Sequence, residues 1–465
     1  MLNRLLIVSG RYVVENPYRE LRLKSLFEER GVEVMFAIPS RQLNQQGYTD
    51  NMRKDLVFLE AGAKWLESKH DFKQCLNKCD GVLFGSWKAY GSLTSAAQLA
   101  GKPVVNFNTT SGLDFWPHNV DYACVKGPFS KRQTLYKQEI LPNHGSLRKD
   151  QIIVTGSIIH EFFKNENYIN KINMTREGFC RTYQFDPSRP IVTLLPKGIG
   201  SFKRKIPKWF LDWNEKQCLS YNQWFLDKYV AICKAVKEAK CNLIVKMHPS
   251  AYASYLSSSA EEYAFWQQVP WAKVLAPEHT YPCYEYSDCG VGVSSHSVLD
   301  FGYFGKPFIY VDSDQVDLPQ YMINARLDEL CHLPPGPSSE WSNNNASYIH
   351  PWFPSWLGFF SRVQDLPELL NGDLQSQITP ENRDKFVQEF WYKADGKAGE
   401  RIVDLVSNYM ESWSASKSVI QMVSSFLSQV PSSQPPPPPR WLGYTKRVIK
   451  RLFESVLKKV KLTIN

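Results

Sequence analysis

The sequence of 465 residues lacks several patterns that would assign it to a common protein class. It contains no run of about 18 consecutive apolar residues, so we expect no transmembrane helix. The opening segment MLNRLLIVSG has a short apolar run and no small-residue cleavage site, so it predicts a first strand rather than a signal peptide. There is no GxGxxG and no Gly-Lys-Ser/Thr phosphate loop, which argues against a nicotinamide cofactor and against ATP hydrolysis of the P-loop type.

The ten cysteines are spread along the chain, and none of them forms a Cys-x-x-Cys pair. This distribution predicts neither a zinc site nor a disulfide framework, and it favours a reducing compartment. His279, Cys283 and Cys289 are spaced so that they could in principle share a metal ion. Their interpretation as unrelated loop and core residues is the stronger one, and we expect no metal site.

The composition is that of a globular protein, with 43% hydrophobic, 14% aromatic and 22% charged residues. A chain of this length is expected to form two or three domains. The net charge of +9 is uneven: residues 440–465 contain eight Lys and Arg and one Glu, a balance of +7, which leaves +2 for the rest. A nearly neutral body argues against a nucleic-acid-binding surface, and we expect no nucleic-acid partner.

The C-terminal segment has a pattern of its own. Residues 412–434 lose charge and are rich in serine, and five consecutive prolines follow, so 412–439 is predicted to be a Ser/Pro-rich linker. In 440–465 apolar residues recur at helical spacing and basic residues occupy the other face, which predicts an amphipathic helix on an anionic membrane surface. The alternatives are a helix packed on the protein's own body and a helix that binds a partner. We expect a cytoplasmic protein, peripheral on the inner face of the cell membrane.

Strand and helix patterns alternate through most of the chain and predict an α/β protein with parallel sheets. In the first domain, expected over 1–186, the segments RLLIVSG, VEVMFAIP and DGVLF are predicted strands, and helices are predicted over 18–30 and 58–77. A Gly-Lys-Pro stop at 101–103 leads into another strand, and the same tripeptide recurs at 305–307.

The stretch 242–314 contains two strand patterns, NLIVKM and CGVGV, that both end in polar residues. Ligands of parallel sheets bind outside the carboxyl ends of the strands, and a helix N-terminus favours an anion. We therefore predict a phosphate site in which an imidazole and a hydroxyl-rich helix start face one pyrophosphate. The residues that follow the two strands are, in order, His248, Pro249, Ser294, Ser295, His296 and Ser297. The competing interpretation is an ordinary His-Pro exit and a serine helix cap.

Three further residues are candidates from their position in the chain. Lys197 follows the strand pattern TLLP and could meet a phosphate, although a solvated loop explains it equally well. Asp114 and His118 lie in the polar loop NFNTTSGLDFWPH, where the first domain is expected to face the cleft. Either side chain could act as the base that accepts a proton from an acceptor hydroxyl. The alternative is an ordinary surface loop.

The segment KMHP, the Ser-rich strand end and DFGYFGKPFIYVDSD together resemble the C-terminal half of the CDP-glycerol glycerophosphotransferase family, the teichoic-acid polymerases. The segment FWYKADGKAGERIVDLV is similar to that family's closing Asp-Gly-Lys-Ala helix. Bacterial polysialyltransferases and capsule Kdo transferases share the His-Pro and the serine pair. The resemblance covers roughly residues 152–410. Two motifs of the family differ here: its Asp-Tyr-Ser-Ser lacks the Asp, and its N-terminal Trp-His-Gly-Thr is absent.

The resemblance implies a GT-B-like fold of two Rossmann-like domains that face a cleft. The second domain, 187–390, would bind the donor nucleotide, and a helix at 391–411 would cross back to the first domain. Glu278 is at the point where GT-B enzymes usually hold the nucleoside, and Asp300 joins the donor-binding candidates. His160 is expected to be structural. Asp312, Ser313 and Asp314 have the spacing of a metal motif but follow the wrong strand, so no metal or other cofactor is expected.

These observations predict a transferase of GT-B type that acts on a nucleotide-activated donor, with CDP or CMP favoured. It would transfer a polyol phosphate or a sugar to a lipid-linked or polymeric acceptor in the synthesis of a cell-surface polysaccharide or teichoic-acid-like polymer. One alternative is an enzyme similar to UDP-N-acetylglucosamine 2-epimerase, against which the predicted membrane helix argues. Another is a non-catalytic GT-B scaffold at the membrane, suggested by the missing N-terminal histidine motif.

Overall fold

The structure is a computed structural model that describes residues 2–9, 18–39, 62–85, 91–107, 120–140, 147–161, 164, 174–196, 215–247, 259–276, 279–293, 297–311, 358–374 and 378–429. The chain forms two compact units, Met1–Met410 and Glu411–Asn465, and both sheets belong to the first unit.

Seven parallel strands form the first sheet, in the order β3-β2-β1-β4-β5-β6-β7. Their bounds are β1 (Arg4–Val8), β2 (Glu33–Pro39), β3 (Lys64–Leu66), β4 (Gly81–Phe84), β5 (Val104–Asn106), β6 (Tyr122–Val125) and β7 (Ile152–Val154). Six parallel strands form the second sheet, in the order β10-β9-β8-β11-β12-β13. Their bounds are β8 (Ile191–Leu194), β9 (Asn242–Val245), β10 (Ala272–Val274), β11 (Cys289–Gly292), β12 (Phe308–Val311) and β13 (Gly358–Ser361).

The helices alternate with the strands along the chain, as parallel connections require. In the first half they are α1 (Tyr18–Glu28), α2 (Lys69–Lys78), α3 (Gly91–Leu99), α4 (Pro128–Ile140), α5 (Ile158–Glu161) and α6 (Arg176–Tyr183). In the second half they are α7 (Glu215–Glu238), α8 (Ser259–Gln267), α9 (Thr280–Tyr286), α10 (Val298–Tyr303), α11 (Leu366–Asn371), α12 (Pro380–Phe390) and α13 (Ala398–Gln429).

The central strands β4, β8, β9, β11 and β12 are buried along their whole length. This is why they read in the sequence as continuous apolar runs without alternation, a pattern typical of parallel sheets covered on both faces. The strand order reverses between β1 and β4 in the first sheet and between β8 and β11 in the second. These two positions are the topological switch points at which open α/β sheets bind ligands.

In both sheets an aspartate carboxylate accepts hydrogen bonds from backbone N–H groups at the start of a neighbouring strand. A carboxylate before β4, Asp80, accepts the N–H groups of Asn3 and Arg4 at 2.9 Å each and so aligns the start of β4 with that of β1. A carboxylate before β11, Asp288, accepts the N–H of Ile191 at 2.7 Å and aligns β11 with β8. These bonds hold the central strand pair of each sheet in register.

The two Gly-Lys-Pro stops have the same backbone conformation. Gly101 ends the turn after α3 and Gly305 the turn after α10, both with φ of +66°, a value that favours glycine because a side chain is strained there. In each case the lysine N–H turns back to the preceding helix, Lys102 to Ala97 at 3.0 Å and Lys306 to Phe301 at 2.9 Å. This is the Schellman arrangement that satisfies the last carbonyls of a helix.

The last helix returns to the first sheet. Ile402, Val403, Val406 and Met410 on α13 are buried in the same core as Leu5 of β1. At the start of α13 the N–H of Gly399 donates to the carboxylate of Glu161, which stabilises the helix end because its dipole favours a negative charge there. Two parallel sheets, each with helices, and this returning helix confirm the expected α/β, GT-B-like fold.

One local expectation was wrong. Residues 58–77 were predicted to be helical, but Lys64–Leu66 pairs with β2 as an edge strand, and the helix begins only after Ser68. Ser68 and Asp71 cap each other's backbone N–H groups, and this capping box sets the helix start. Residues 412–429 are helical and continue α13, and the assignment of 412–439 as a linker stays a prediction. They contain no Gly or Pro, so their serine content does not end a helix. The polyproline segment and the helix predicted over 440–465 lie outside the described residues.

We predict that Gly127→Ala lowers the free energy of unfolding by about 1–3 kcal/mol, because an added methyl group forces a shift of packed backbone. A Cβ at this position would lie 2.4 Å from the carbonyl oxygen of Phe390, at the end of α12. Chemical denaturation measures the change.

The matched control is Gly178→Ala on α6, where a Cβ meets ordinary contacts at 3.4 Å and beyond. That variant should be unchanged or more stable by about 0.4–1 kcal/mol, because alanine restricts the unfolded chain. Equal stability changes in the two variants would contradict the packing described for Gly127.

Candidate active site

The carboxyl edge of the second sheet carries a buried cation. Lys246 follows β9 directly, and its side chain is 7% exposed. Its Nζ donates to the Oγ of Ser297 at 3.4 Å and lies 5.6 Å from the ring centre of Tyr284. Ser297 immediately precedes α10 in the connection from β11 to β12. An ammonium group and a hydroxyl therefore lie together beside the switch point between β8 and β11.

Of the residues predicted from the sequence to bind a donor or to act as a base, Ser297 and Asp300 belong to the described part of the chain. The others lie outside the described residues: Asp114, His118, Lys197, His248, Pro249, Glu278, Ser294, Ser295 and His296. Their roles stay predictions. Among these residues, His248 directly follows the described Met247, and Ser294 directly follows the described Val293.

Asp300 has partners on both sides. The Nε2 of His160 lies 3.0 Å from its Oδ1, and the hydroxyl of Tyr284 donates to its Oδ2 at 2.8 Å. His160 belongs to α5, after the first sheet, whereas Asp300 belongs to α10, in the second half. Both carboxylate oxygens of Asp300 are thus bound to protein groups, and the proposal that Asp300 contacts a donor needs a rearrangement of these bonds.

The protonation of this pair follows from its surroundings. Burial lowers the pKa of His160, and the hydrogen bond and charge of Asp300 offset this only in part. Burial acts to raise the pKa of Asp300, but the hydrogen bond and charge of His160, together with the charge of Lys246, outweigh it, so the pKa is lowered. The pair is therefore a neutral imidazole and an ionised carboxylate. We assign the His160 proton to Nε2, which donates to Asp300, while Nδ1 accepts from the Ser157 hydroxyl at 2.9 Å.

Aromatic rings enclose His160. Its ring centre lies 3.8 Å from that of Trp391 and 5.0 Å from that of Tyr303. The indole N–H of Trp391 donates to the carbonyl of Leu299 at 3.3 Å, and Lys126 Nζ lies 4.4 Å from the indole. A small, partly open crevice borders these rings and is also lined by Lys393 and Ala394. His160 joins α5 to α10 through its hydrogen bond to Asp300, and the expectation that it is structural stays a prediction.

A second group of polar side chains lies at the carboxyl edge of the first sheet. Arg19 and Glu20, in the first turn of α1, are buried and paired, with Arg19 Nη2 2.6 Å from Glu20 Oε1. The Ser9 hydroxyl, after β1, donates to the same carboxylate oxygen at 3.3 Å. This pair therefore lies beside the other switch point.

The sequence interpretation missed Lys246, Tyr284 and the Arg19–Glu20 pair. Lys246 stands within the KMHP segment that was singled out, and its position directly after a buried strand was a signal for it. Tyr284 carries no such signal, because an aromatic residue on a short helix is usually a core residue. Arg19 and Glu20 look in the sequence like two exposed charges in a helix, and only the packing against strand ends makes them buried.

Two kinds of feature are absent from the residues that the structure describes. No helix in the described part of the chain is long and apolar enough to cross a membrane. Within the same residues, no three or more His, Cys, Asp or Glu side chains are grouped so that they could hold a metal ion.

Comparisons with known proteins give fold-level likeness only. No protein-family model matches the sequence, and a search of curated proteins gives no significant match. Among solved structures, the wall teichoic acid polymerase TagF is similar over 87% of this chain and 89% of that chain, with a TM-score of 0.48 and 12% identity. UDP-GlcNAc 2-epimerase from Neisseria meningitidis bound to UDP-GlcNAc is similar over 87% of this chain and 99% of that chain, with a TM-score of 0.46 and 12% identity. The S. aureus MnaA–UDP structure covers 88% and 97%, with a TM-score of 0.48 and 13% identity.

Identities and TM-scores this low carry no argument about chemistry, and the GT-B-like fold class rests on the sheets described above. The resemblance to the CDP-glycerol glycerophosphotransferase family stays a prediction.

We predict that His160→Gln removes part of the acid sensitivity of the fold. A group whose pKa is lowered in the folded state takes up its proton preferentially in the unfolded state, so stability falls as the pH drops below the ordinary histidine value of 6.5. The lowered pKa of Asp300 acts in the same direction at lower pH, where protonation of this carboxylate is resisted by the folded protein. A tenfold difference in proton affinity between the folded and unfolded states changes the free energy of unfolding by about 1.4 kcal/mol.

The measurement is chemical denaturation of wild type and His160→Gln at pH 7.5, 6.0 and 5.0. The glutamine amide can still donate to Asp300, so the variant should lose less stability than wild type on acidification. His70→Gln is the control, since His70 is exposed on α2 and bonds to Gln74. A pH dependence as steep in His160→Gln as in the control variant would contradict the assignment of a neutral His160.

Proposed function

We propose that this protein is a GT-B-type transferase that moves a polyol phosphate or a sugar from a nucleotide-activated donor, CDP or CMP linked, to a lipid-linked or polymeric acceptor. Its products would be cell-surface polysaccharide or teichoic-acid-like polymers. The observation that supports a nucleotide donor most directly is the buried ammonium of Lys246, 3.4 Å from the Ser297 hydroxyl beside the switch point of the second sheet.

The chemistry of the transfer explains why a buried cation would be needed there. The oxygen of an acceptor hydroxyl forms a bond to the β-phosphorus of the donor, or to the anomeric carbon of a nucleotide sugar. The bond from that atom to the nucleotide phosphate oxygen breaks, and the nucleotide leaves with the electron pair. Negative charge therefore grows on its phosphate group during the reaction. A fixed positive charge and hydroxyl donors in a buried site stabilise such charge strongly.

In this proposal Lys246 and Ser297 bind the departing phosphates, joined by the predicted residues His248, Pro249, Ser294, Ser295 and His296. Lys197 is a further phosphate ligand, and Glu278 contacts the nucleoside. Asp114 or His118 takes the proton of the acceptor hydroxyl. The ammonium group of Lys246 supplies positive charge that a metal ion supplies in other transferases, which supports the proposal that no metal or other cofactor is required.

The first experiment measures stabilisation of the purified protein by CMP, CDP, UMP, UDP and GDP in thermal unfolding. A ligand at 100 times its dissociation constant adds about 2.7 kcal/mol to the stability of the folded state. We predict that a cytidine nucleotide stabilises wild type and that its affinity falls at least about tenfold, or 1.4 kcal/mol, in Lys246→Met and in His248→Ala. Lys246→Met keeps the apolar stem and removes the ammonium group, and its unfolding temperature without ligand checks that the variant is folded.

Lys234→Met is the matched control, since Lys234 is exposed on α7 and its loss removes the same charge. Selective stabilisation by uridine nucleotides would contradict the cytidine donor and favour an epimerase-like or UDP-sugar enzyme. No stabilisation of wild type by any of the nucleotides would contradict a nucleotide-activated donor and favour the non-catalytic scaffold.

The proposed site of action is an anionic membrane surface, contacted by residues 440–465. The support is the sequence pattern, an apolar stripe with eight Lys and Arg against one Glu in a segment that lies outside the described residues. Basic residues at such a surface contribute about 1 kcal/mol each.

We predict that deletion of 440–465 abolishes sedimentation with vesicles that contain phosphatidylserine or phosphatidylglycerol and leaves nucleotide stabilisation unchanged. A full-length variant with Lys458, Lys459 and Lys461 replaced by Gln should bind these vesicles more weakly, because three charges that attract the surface are gone. Vesicle binding by the deletion variant at the level of wild type would rule out this membrane contact.

A further inference from the structure

Three neighbouring residues at the carboxyl edge of the first sheet follow its central strands: Ser9 after β1, Gly85 after β4 and Phe107 after β5. The N–H of Gly85 donates to the carbonyl of Val8, and that of Phe107 to the carbonyl of Phe84, both at 3.0 Å. These bonds continue the ladder of the sheet by one residue beyond each strand. The order of strands reverses between β1 and β4, so this edge is the place at which a ligand of the first sheet is expected.

Arg19 and Glu20 pack directly on this edge. They are 6% and 3% exposed, and the guanidinium lies 5.3 Å from the ring centre of Phe107. A Cβ at Gly85 would come within 2.9 Å of Glu20 Oε1 and 3.2 Å of Arg19 Nη2. The absence of a side chain at Gly85 is therefore what lets the ion pair approach the backbone of β4 so closely.

One hydrogen-bond donor of this pair has no partner in the described part of the structure. The Nε of Arg19 is buried and forms no hydrogen bond. The two donors among the described residues that reach Glu20, Arg19 Nη2 and the Ser9 hydroxyl, both end on Oε1. A buried ion pair with a purely structural role normally has its remaining donors and acceptors satisfied, because an unpaired buried polar group is destabilising. An unpaired guanidinium donor at a switch point therefore points to a missing ligand.

We propose that Arg19 and Glu20 form the acceptor-binding site, an inference that rests on the proposed transferase function. A carboxylate only accepts hydrogen bonds and a guanidinium only donates them. A ligand that carries a hydroxyl group next to an anionic group satisfies both: the hydroxyl donates to Glu20, and the anion binds the guanidinium. The acceptor class is a polyol or sugar whose hydroxyl neighbours a phosphate or a carboxylate, and the bound hydroxyl is the one presented to the donor.

The experiment measures binding of three small probes to the full chain by isothermal titration. Glycerol 3-phosphate carries a hydroxyl and a phosphate, glycerate carries a hydroxyl and a carboxylate, and glycerol carries hydroxyls alone. We expect wild type to bind at least one of the two anionic probes and not glycerol. The anion that binds more tightly identifies the acceptor's charged group. Binding should weaken at least tenfold in Arg19→Lys, which keeps the charge but loses the planar pair of donors.

Loss of a single partner from a buried pair can unfold the protein, so the double variant Arg19→Gln/Glu20→Gln is measured as well. Its two amides can pair without charge, and the anionic probes should no longer bind. Arg30→Gln and Glu28→Gln are the matched controls: Arg30 pairs with Asp404 and Glu28 with Lys24 at the surface, near the end of α1. Both controls should bind the probes like wild type.

Nucleotide stabilisation, measured on the same samples, separates this inference from the proposed function. Failure of both anionic probes to bind wild type, or equal binding by wild type and the double variant, would overturn the acceptor site even if nucleotides bind normally. Probe binding that is lost in the double variant supports the site, and nucleotide stabilisation that persists there shows that the second sheet is intact. A wild type that binds the probes but no nucleotide would retain the binding site and overturn its assignment to a transferase.

Discussion

The central strands of both sheets are buried along their length, and this constraint decides where polar chemistry can lie. Side chains that project from a covered parallel strand are mostly apolar, because a polar group there needs a protein partner to replace its hydrogen bonds to water, as Thr193 of β8 has in Ser287. Charged side chains are therefore displaced to the residues that follow the strands. Lys246 directly follows β9 and Ser9 directly follows β1, and each contributes a hydrogen bond at the carboxyl edge of its sheet.

The two edges differ in the charge that they present. Beside the switch point of the second sheet the described groups are an ammonium and a hydroxyl, which suit an anion. At the first sheet the guanidinium of Arg19 is paired with the carboxylate of Glu20, and the hydroxyl of Ser9 donates to that carboxylate. A transferase must bind an anionic donor and a hydroxyl-bearing acceptor at the same time, so this difference in charge matches the division of labour that we propose for the two halves.

His160, Asp300 and Tyr284 connect the segment after the first sheet to the surroundings of Lys246. A neutral imidazole donates to an ionised carboxylate whose second oxygen is held by the tyrosine hydroxyl. The charge of Lys246 lowers the pKa of Asp300. The candidate donor site is therefore electrostatically coupled to the hydrogen bond between His160 and Asp300. Any movement of α10 that brings Asp300 towards a donor must first break these bonds.

The sequence by itself determined the fold class, because apolar runs that alternate with helical patterns can pair only as covered parallel strands. It also determined the local stops: Gly-Lys-Pro appears twice, and Gly101 and Gly305 adopt the same left-handed conformation. It did not determine the strand at 64–66 or the extent of α13, because edge pairing and helix length depend on neighbours distant in the chain. The tertiary structure alone decided that Arg19 and Glu20 are buried over three strand ends and that His160 meets Asp300. Those contacts join residues from different strands and helices, and no local pattern of side chains records which elements become neighbours.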